Sequence, residues 1–173
     1  SPSHTVVGDG GSDKSIFMWA LEWWPRALLD GRDPFSADVV WAPEGMDLAW
    51  VAAIPGASYF ATPLTYLAGP VATYNALALL APATAAWAAY LLARWITGAF
   101  WPSLLAGLLF GFSSYEIGQT VGHLHLTIVF PIPISLLLVL RRVAGEISRT
   151  RFLGYLTPVL VAQFLLSTEI FLM

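Results

Sequence analysis

Cysteine is absent from this chain of 173 residues, so it can form neither a disulfide framework nor a thiolate metal site. Charge is scarce as well, because Asp, Glu, Lys and Arg make up only 11% of the residues, against about 25% in an ordinary globular domain. The stretch from Leu48 to Ala93 has no charged residue at all. A soluble core cannot hide 57% hydrophobic residues arranged in this way, and we expect a membrane protein.

The few charges are unevenly distributed along the sequence. Eight of the eleven acids precede Leu48, whereas Arg141, Arg142, Arg149 and Arg151 cluster near the other end. Basic residues close to membrane helices prefer the cytoplasmic side. The asymmetry therefore bears on membrane topology, and we predict membrane lipids as partners and no nucleic acid.

Five apolar runs follow the acidic first part, and they predict an all-α fold, a polytopic transmembrane helical bundle over residues 48–173. The runs are Leu48–Ala68, Val71–Ala93, Phe100–Phe112, Leu126–Leu140 and Phe152–Met173. The first run contains Pro55, Gly56 and Pro63, which favour a broken or re-entrant segment over a straight span. The sequence opens on Ser1 and is still apolar at Met173, so we interpret it as an internal fragment that continues beyond 173.

Residues 1–47 are predicted to form an extracytoplasmic loop with an interfacial amphipathic helix at Lys14–Asp30. Glu22, Arg26 and Asp30 fall four residues apart on one stripe of that helix. Pro25 should kink or restart it. The apolar residues on broadly the opposite side are Ile16, Trp19, Ala20, Trp23, Ala27 and Leu28. Indole rings favour the headgroup level of a membrane, so the helix should lie along the surface.

The first apolar run decides which polar groups share a face. If Leu48–Ala68 dips in and returns while the late arginines are cytoplasmic, the acidic loop, Ser113–His125 and Glu169 all lie outside. If that run spans fully, the acidic loop is cytoplasmic and the polar groups are divided. We favour the re-entrant arrangement because it gathers the polar residues into one potential site.

Several short strings of residues occur in a recognisable order. They are Phe17-Met18-Trp19 after Asp13, Trp23-Trp24-Pro25, Gly31-Arg32-Asp33-Pro34-Phe35, Trp41-Ala42-Pro43-Glu44-Gly45, Gly69-Pro70-Val71, Tyr74-Asn75, Ala89-Tyr90-Leu91 and Gly122-His123-Leu124-His125. Over nearly the whole chain this order resembles bacterial polytopic membrane glycosyltransferases of the GT-C type, although Asp33 stands where such proteins often have Asn. The resemblance implies a multi-pass protein of the bacterial cytoplasmic (inner) membrane, with a polyprenyl-phosphate-linked sugar as donor and transfer to an acceptor at the outer face.

The resemblance also implies an acidic residue in the first extracytoplasmic loop. Such a transfer needs a carboxylate that takes the acceptor's proton and groups that hold the departing phosphate. We predict Asp13 and Asp9 as the catalytic carboxylates, with helix N-capping as the alternative for Asp13 and a solvated loop acid as the alternative for Asp9. The predicted substrate contacts are His123, His125, Glu116, Glu44 and Trp41.

Two histidines and two further acids have alternative roles. His123 and His125 are interpreted as phosphate or substrate contacts, or as interfacial side chains satisfied by water. The pair lacks further ligands at a known spacing, so a divalent metal is not indicated and the cofactor is left open. Glu116 and Glu169 lie at predicted membrane-helix ends, where they line the site or snorkel to water. Gly107 and Gly111 are spaced for close helix packing.

Two other classes of function compete with glycosyl transfer. In a membrane transporter or lipid flippase, the broken Leu48–Ala68 segment and the intramembrane acids would form a path. A noncatalytic membrane scaffold is the third alternative. We favour glycosyl transfer because the acids crowd a loop, whereas a transporter needs polar groups at the membrane midplane.

Overall fold

The computed structural model of the protein describes residues 5–7 and 13–173. Helix accounts for 74% and strand for 2% of the structure, so the all-α prediction is confirmed. The elements in chain order are α1 Asp13–Leu29, β1 Ser36–Ala37, β2 Met46–Asp47, a 3₁₀ helix Leu48–Trp50, α2 Pro55–Phe60, α3 Thr62–Thr97, α4 Phe100–Gly111, α5 Ser114–Thr120, α6 Leu124–Thr127, α7 Pro131–Val143, α8 Arg149–Leu166 and α9 Thr168–Leu172. Strands β1 and β2 pair antiparallel and form a short hairpin between α1 and the 3₁₀ helix.

Helix α1 packs its aromatic residues into the main core of the protein. Trp24 is 1% exposed and its Nε1 donates to the Ala53 carbonyl oxygen at 2.7 Å. Trp23 is also buried, and its Nε1 donates to the Pro34 carbonyl oxygen at 2.9 Å. These two indoles are therefore satisfied by protein carbonyls, and the position of α1 along a membrane surface stays a prediction.

The buried face of α1 differs from the predicted apolar stripe. Ile16 and Leu28 are exposed, whereas Phe17 and Leu21 are buried with Ala20 and Ala27 in the core. The contact with α2 and α3 covers a face that is rotated from the predicted apolar stripe, and contact of the exposed Ile16 and Leu28 with a membrane stays a prediction. The helix also runs through Pro25 without restarting, and Glu22 and Arg26 pair at 3.1 Å on its outer side.

The predicted break within Leu48–Ala68 is confirmed. The chain leaves the 3₁₀ helix, forms α2, and enters α3 at Thr62. Within α3 the backbone breaks again at Gly69, with φ 84° and ψ 164°. Glycine adopts this conformation without a Cβ clash, and the following Pro70 disfavours the helical region at the preceding residue. The interruptions therefore follow from the local Pro and Gly positions.

Helices α3 and α4 form a closely packed antiparallel pair. Thr97 and Ser103 share a hydrogen bond of 3.0 Å near the connection, and the rings of Tyr90 and Phe100 are 6.1 Å apart. Farther along, Gly107 lies against the backbone of Ala86, and Gly111 against Pro82 and Ala86. The predicted packing role of the two glycines is confirmed, because neither position has room for a side chain.

Two helical stretches among the described residues are long and apolar enough to cross a bilayer. They are Thr62–Thr97 and Leu124–Val143, the latter comprising α6 and α7. Large apolar side chains also remain exposed on the long helices, including Leu79, Trp87, Trp101, Leu109, Val139 and Val161. Exposure on this scale marks a surface that lipid or a partner covers. Both observations weakly indicate a membrane protein.

The other predicted runs form shorter elements. Helix α4 has 12 residues, about 18 Å at 1.5 Å per residue, which is shorter than a hydrocarbon core of about 30 Å. The run Phe152–Met173 is divided at Ser167, whose extended backbone ends α8 and whose hydroxyl accepts from the Ile170 amide. Polar capping by Ser113 similarly starts α5 after α4.

The arginine-rich connection ties two helix ends together. Glu146, between α7 and α8, accepts from Arg141 Nε at 2.8 Å and from Trp95 Nε1 at 2.9 Å. The carboxyl ends of α3 and α7 therefore lie at the same end of the helical bundle. Helix α8 starts at this end with Arg149 and Arg151.

We expect Gly107→Ala to destabilise the protein. A Cβ at this position would lie 2.5 Å from the Ala86 carbonyl oxygen and 2.9 Å from Tyr90 Cβ, and such overpacking costs about 1–3 kcal/mol. Gly154→Ala is the matched control, since no atom lies within 4 Å of its added Cβ and Ala is the better helix former. Thermal unfolding of the detergent-purified protein, followed by circular dichroism, should give a lower Tm for Gly107→Ala only. An unchanged Tm would contradict the close packing of α3 and α4.

Candidate functional site

Four polar side chains from three distant parts of the chain meet beside α6. His123 Nε2 lies 3.4 Å from Asp13 Oδ2, at the start of α1. His125 Nε2 lies 3.3 Å from Glu169 Oε2, in α9. The two imidazole rings are 6.3 Å apart. The structure therefore joins two carboxylate–histidine pairs into one cluster, which we call the histidine site.

The local backbone explains how two histidines separated by one residue can face the same cluster. After α5 the chain turns, and the amides of Gly122 and His123 both donate to the Gln119 carbonyl oxygen. His123 precedes α6 with φ −117° and ψ 66°, whereas His125 lies inside that helix. Because the chain changes conformation between them, neither helical nor extended spacing alone describes their directions.

The two pairs differ in their access to solvent. Asp13 and His123 are about half exposed, with side-chain exposures of 52% and 48%. The His125 side chain is only 9% exposed and its ring packs against Phe17 at 5.1 Å. Its Nδ1 is buried and has no hydrogen-bond partner among residues 5–7 and 13–173. The Asp13–His123 pair can thus meet a ligand directly, while His125 forms part of a wall.

A cavity of about 260 Å³ opens beside His125 and Glu169. One wall is the non-helical connection from Ala49 to Pro55, and the other is the junction of α8 and α9 from Phe164 to Glu169. Ile54 in the first wall has a positive φ of 41°, a conformation that is uncommon for a branched residue. This cavity, which we call the polar cavity, gives the His125–Glu169 half of the histidine site space for a ligand.

Glu116 is fully buried, contrary to the alternative that it snorkels to water. Its side chain is 1% exposed, and neither carboxyl oxygen has a hydrogen-bond partner in the described part of the chain. Burial raises the pKa of this carboxyl from 4.5 to about 7. The pKa of the neighbouring Tyr115 is raised by burial and then by the charges of Glu116 and Glu169. Tyr115 is thus electrostatically coupled to both acids, and to the histidine site through Glu169.

The remaining predicted residues do not join this cluster. Trp41 is 71% exposed in the hairpin loop and lines a different cavity of about 290 Å³ with Trp19 and Val40. Glu44 is exposed in the same loop. The predicted grouping of Trp41 and Glu44 with the histidines therefore lacks support, because the hairpin holds their loop against another part of α1. Asp9 lies outside the described residues.

Sequence reasoning gave too little weight to two residues. Glu169 is predicted to line the site or to snorkel to water, with no specific partner, and the structure places it against His125. Lys14, the one lysine of the chain, is buried directly after Asp13, and its position beside a predicted catalytic acid was the available signal. Within residues 5–7 and 13–173, no group of three or more His, Asp or Glu side chains could hold a metal ion.

No protein-family model, curated protein or solved structure matches this chain.

The buried carboxyl of Glu116 predicts a pH-dependent stability. Because folding raises its pKa from 4.5 to about 7, its stabilising contribution is complete below pH 4.5 and is lost as the pH rises through 7. Glu116→Gln stays neutral, so it should match the wild type near pH 4.5 and exceed it at pH 8 by about 1–3 kcal/mol. Tm values measured between pH 4.5 and 8 check this, with the exposed Glu44→Gln as control. A wild-type and Glu116→Gln difference that does not vary with pH would contradict the burial of a titrating carboxyl.

Proposed function

We propose that the chain belongs to a polytopic membrane glycosyltransferase of the GT-C type. It moves a sugar from a polyprenyl-phosphate donor to an acceptor at the outer face of a bacterial cytoplasmic membrane. The observation that carries the proposal is the pairing of Asp13 with His123 at 3.4 Å, next to His125 and Glu169 at the mouth of the polar cavity.

This arrangement suits transfer from a lipid phosphate. Asp13 accepts the proton of the acceptor hydroxyl, and the acceptor oxygen forms a bond to the anomeric carbon of the donor sugar. The bond from that carbon to the phosphate oxygen breaks, and the polyprenyl phosphate leaves with the electron pair. His123 donates a hydrogen bond to the phosphate, and a charge-assisted bond of this kind contributes about 1.5–3 kcal/mol. His125, whose Nε2 lies against Glu169, forms the adjoining wall.

The partners of the two histidines support these roles. A carboxylate close to a histidine nitrogen accepts a hydrogen bond from the ring and so fixes the direction of the ring. Glu169 acts on His125 in this way at 3.3 Å. Half-exposed Asp13 and His123 remain accessible to both substrates. The buried His125 is held in place by Phe17, with ring centroids 5.1 Å apart.

A lipid-linked donor also needs an apolar surface next to the polar site. An apolar cavity of about 470 Å³, lined by Phe60, Leu77 and Leu80 among others, shares Leu165 and Leu166 with the polar cavity. An amphiphile could therefore place its phosphate by His125 and the first part of its prenyl chain along α3 and α8. This adjacency favours a lipid-linked donor over a free sugar phosphate.

The proposed topology puts the histidine site outside and the late arginines in the cytoplasm. It is supported by the separation of the two groups within the fold. Asp13 and Glu169 each contact a histidine at α6, whereas Arg141 and Trp95 both contact Glu146 at the far ends of α7 and α3. The positive-inside tendency then orients the arginine end toward the cytoplasm.

Transfer of radiolabelled sugar from a polyprenyl-phosphate donor, using the full-length protein in membranes, tests the proposed activity. Asp13→Asn keeps the size and capping ability of the residue but removes the base, so transfer should fall about 100-fold or more. Asp33→Asn is the matched control, because it also removes an exposed carboxylate yet keeps the acceptor for the Phe35 amide. Equal transfer by wild type and Asp13→Asn would remove Asp13 from the mechanism. Absence of transfer by the wild type with any polyprenyl-phosphate sugar would contradict the function.

Single cysteines test the topology in a cysteine-free full-length protein. An impermeant thiol reagent applied to intact cells should label cysteines at Ser36 and Thr120, because both residues lie on the outer side of the proposed arrangement. A cysteine at Thr150, beside the late arginines, should react only after the cells are opened. Labelling of only one of the two outer positions would contradict the re-entrant topology.

A further inference from the structure

A second groove lies on another face of α1, away from the histidine site. It has a volume of about 430 Å³, within the range of small-molecule sites. The residues that line it are Trp19, Glu22, Trp23, Arg26, Ala27, Asp30, Arg32 and Val39. None of these described lining residues belongs to the polar cavity, so the groove is a separate place for a ligand.

Two indole rings form the apolar part of this groove. The rings of Trp19 and Trp23 stack with centroids 5.3 Å apart and planes 17° from parallel. The hydrogen bond from Trp23 Nε1 to the Pro34 carbonyl oxygen fixes the Trp23 ring. The Trp19 ring stacks on the Trp23 ring and remains partly exposed. An aromatic face carries partial negative charge and attracts the positively polarised C–H groups of a flat aliphatic ring.

The polar part of the groove contains several charged side chains, and its positive and negative charges are equal in number. Glu22 and Arg26 pair at 3.1 Å, and Arg32 lies 4.0 Å from Asp30 and 3.6 Å from Asp38. The lining acids Glu22 and Asp30 are matched in number by the arginines Arg26 and Arg32. A strongly charged ligand would have to displace one of these partners, whereas a neutral ligand can use both kinds of group.

We infer that this groove binds a neutral saccharide. Its ring stacks on the tryptophan pair, and its hydroxyls accept from the guanidinium groups and donate to the carboxylates. A sugar ring joins an apolar C–H face to an edge of hydroxyls that both donate and accept, which matches the composition of the groove. This binding goes beyond the proposed transfer, since it involves neither the histidine site nor a lipid phosphate.

Binding of neutral trisaccharides to the full-length protein in nanodiscs tests this inference. The probes are trisaccharides of glucose, mannose, galactose and N-acetylglucosamine, with trigalacturonic acid as the anionic comparison, and the readout is saturation-transfer NMR with titration. At least one neutral probe should bind with a Kd below about 10 mM, and Trp19→Ala should weaken that binding 10-fold or more. Arg26→Gln should weaken it 3-fold or more through lost donors. Trp101→Ala, which removes an exposed indole of α4 that lines neither the groove nor the polar cavity, should leave the Kd unchanged.

The variants show whether the saccharide binds in this groove or in a neighbouring cavity. Trp19 also lines the cavity that contains Trp41, so weakening by Trp19→Ala without an effect of Arg26→Gln would overturn the assignment to this groove. Trp19→Phe keeps a ring and should recover most of the affinity, which distinguishes lost stacking from misfolding. Tighter binding of trigalacturonic acid than of every neutral probe, or no binding of any neutral probe, would also overturn the inference. The binding assay contains no lipid-linked donor, so it is independent of the transfer assay. Sugar transfer without trisaccharide binding would refute the binding groove alone. Trisaccharide binding without sugar transfer would refute the proposed reaction alone.

Discussion

The packing of Trp24 beneath the connection between the 3₁₀ helix and α2 is the contact on which the rest of the site depends. Its indole is buried in the core and donates to the Ala53 carbonyl oxygen at 2.7 Å. Ala53 belongs to the non-helical wall of the polar cavity, while the helix that carries Trp24 begins at Asp13. The contact therefore fixes the cavity wall relative to the helix that carries Asp13. A buried donor left without this carbonyl would cost about 1–3 kcal/mol.

The long helices provide the frame to which this site is attached. Helix α3 pairs with α4 through glycines that admit no side chain, and its Tyr74 and Ala78 join α1 in the main core. The carboxyl end of α3 meets Glu146 through Trp95. Helix α3 thus contacts the core beside the histidine site at one end and the arginine-rich connection at the other. It holds these two parts of the protein apart and in fixed positions. On the proposed topology, that separation becomes a separation across the membrane.

Sequence patterns anticipated the features that short-range chemistry determines. Proline and glycine positions predicted the breaks between Leu48 and Ala68, and the Gly107–Gly111 spacing predicted close packing. The same patterns do not specify tertiary contacts, because α2 and α3 select the buried face of α1, which includes Phe17 and Leu21 and leaves Ile16 exposed. Asp13 and His123 were expected on one side of the membrane, but their contact depends on the fold. The pairing of His125 with Glu169 spans 44 residues, and no local pattern specifies it.

A double-mutant cycle on Asp13 and His123 tests the central claim most directly, that these two side chains act as one unit in sugar transfer. Transfer from the polyprenyl-phosphate donor is measured for the wild type, Asp13→Asn, His123→Gln and the double variant of the full-length protein. If the pair acts as a unit, the double variant should lose little more activity than the more damaged single variant, with a coupling energy above about 1 kcal/mol. If the losses simply multiply, the 3.4 Å contact between His123 Nε2 and Asp13 Oδ2 has no part in the reaction.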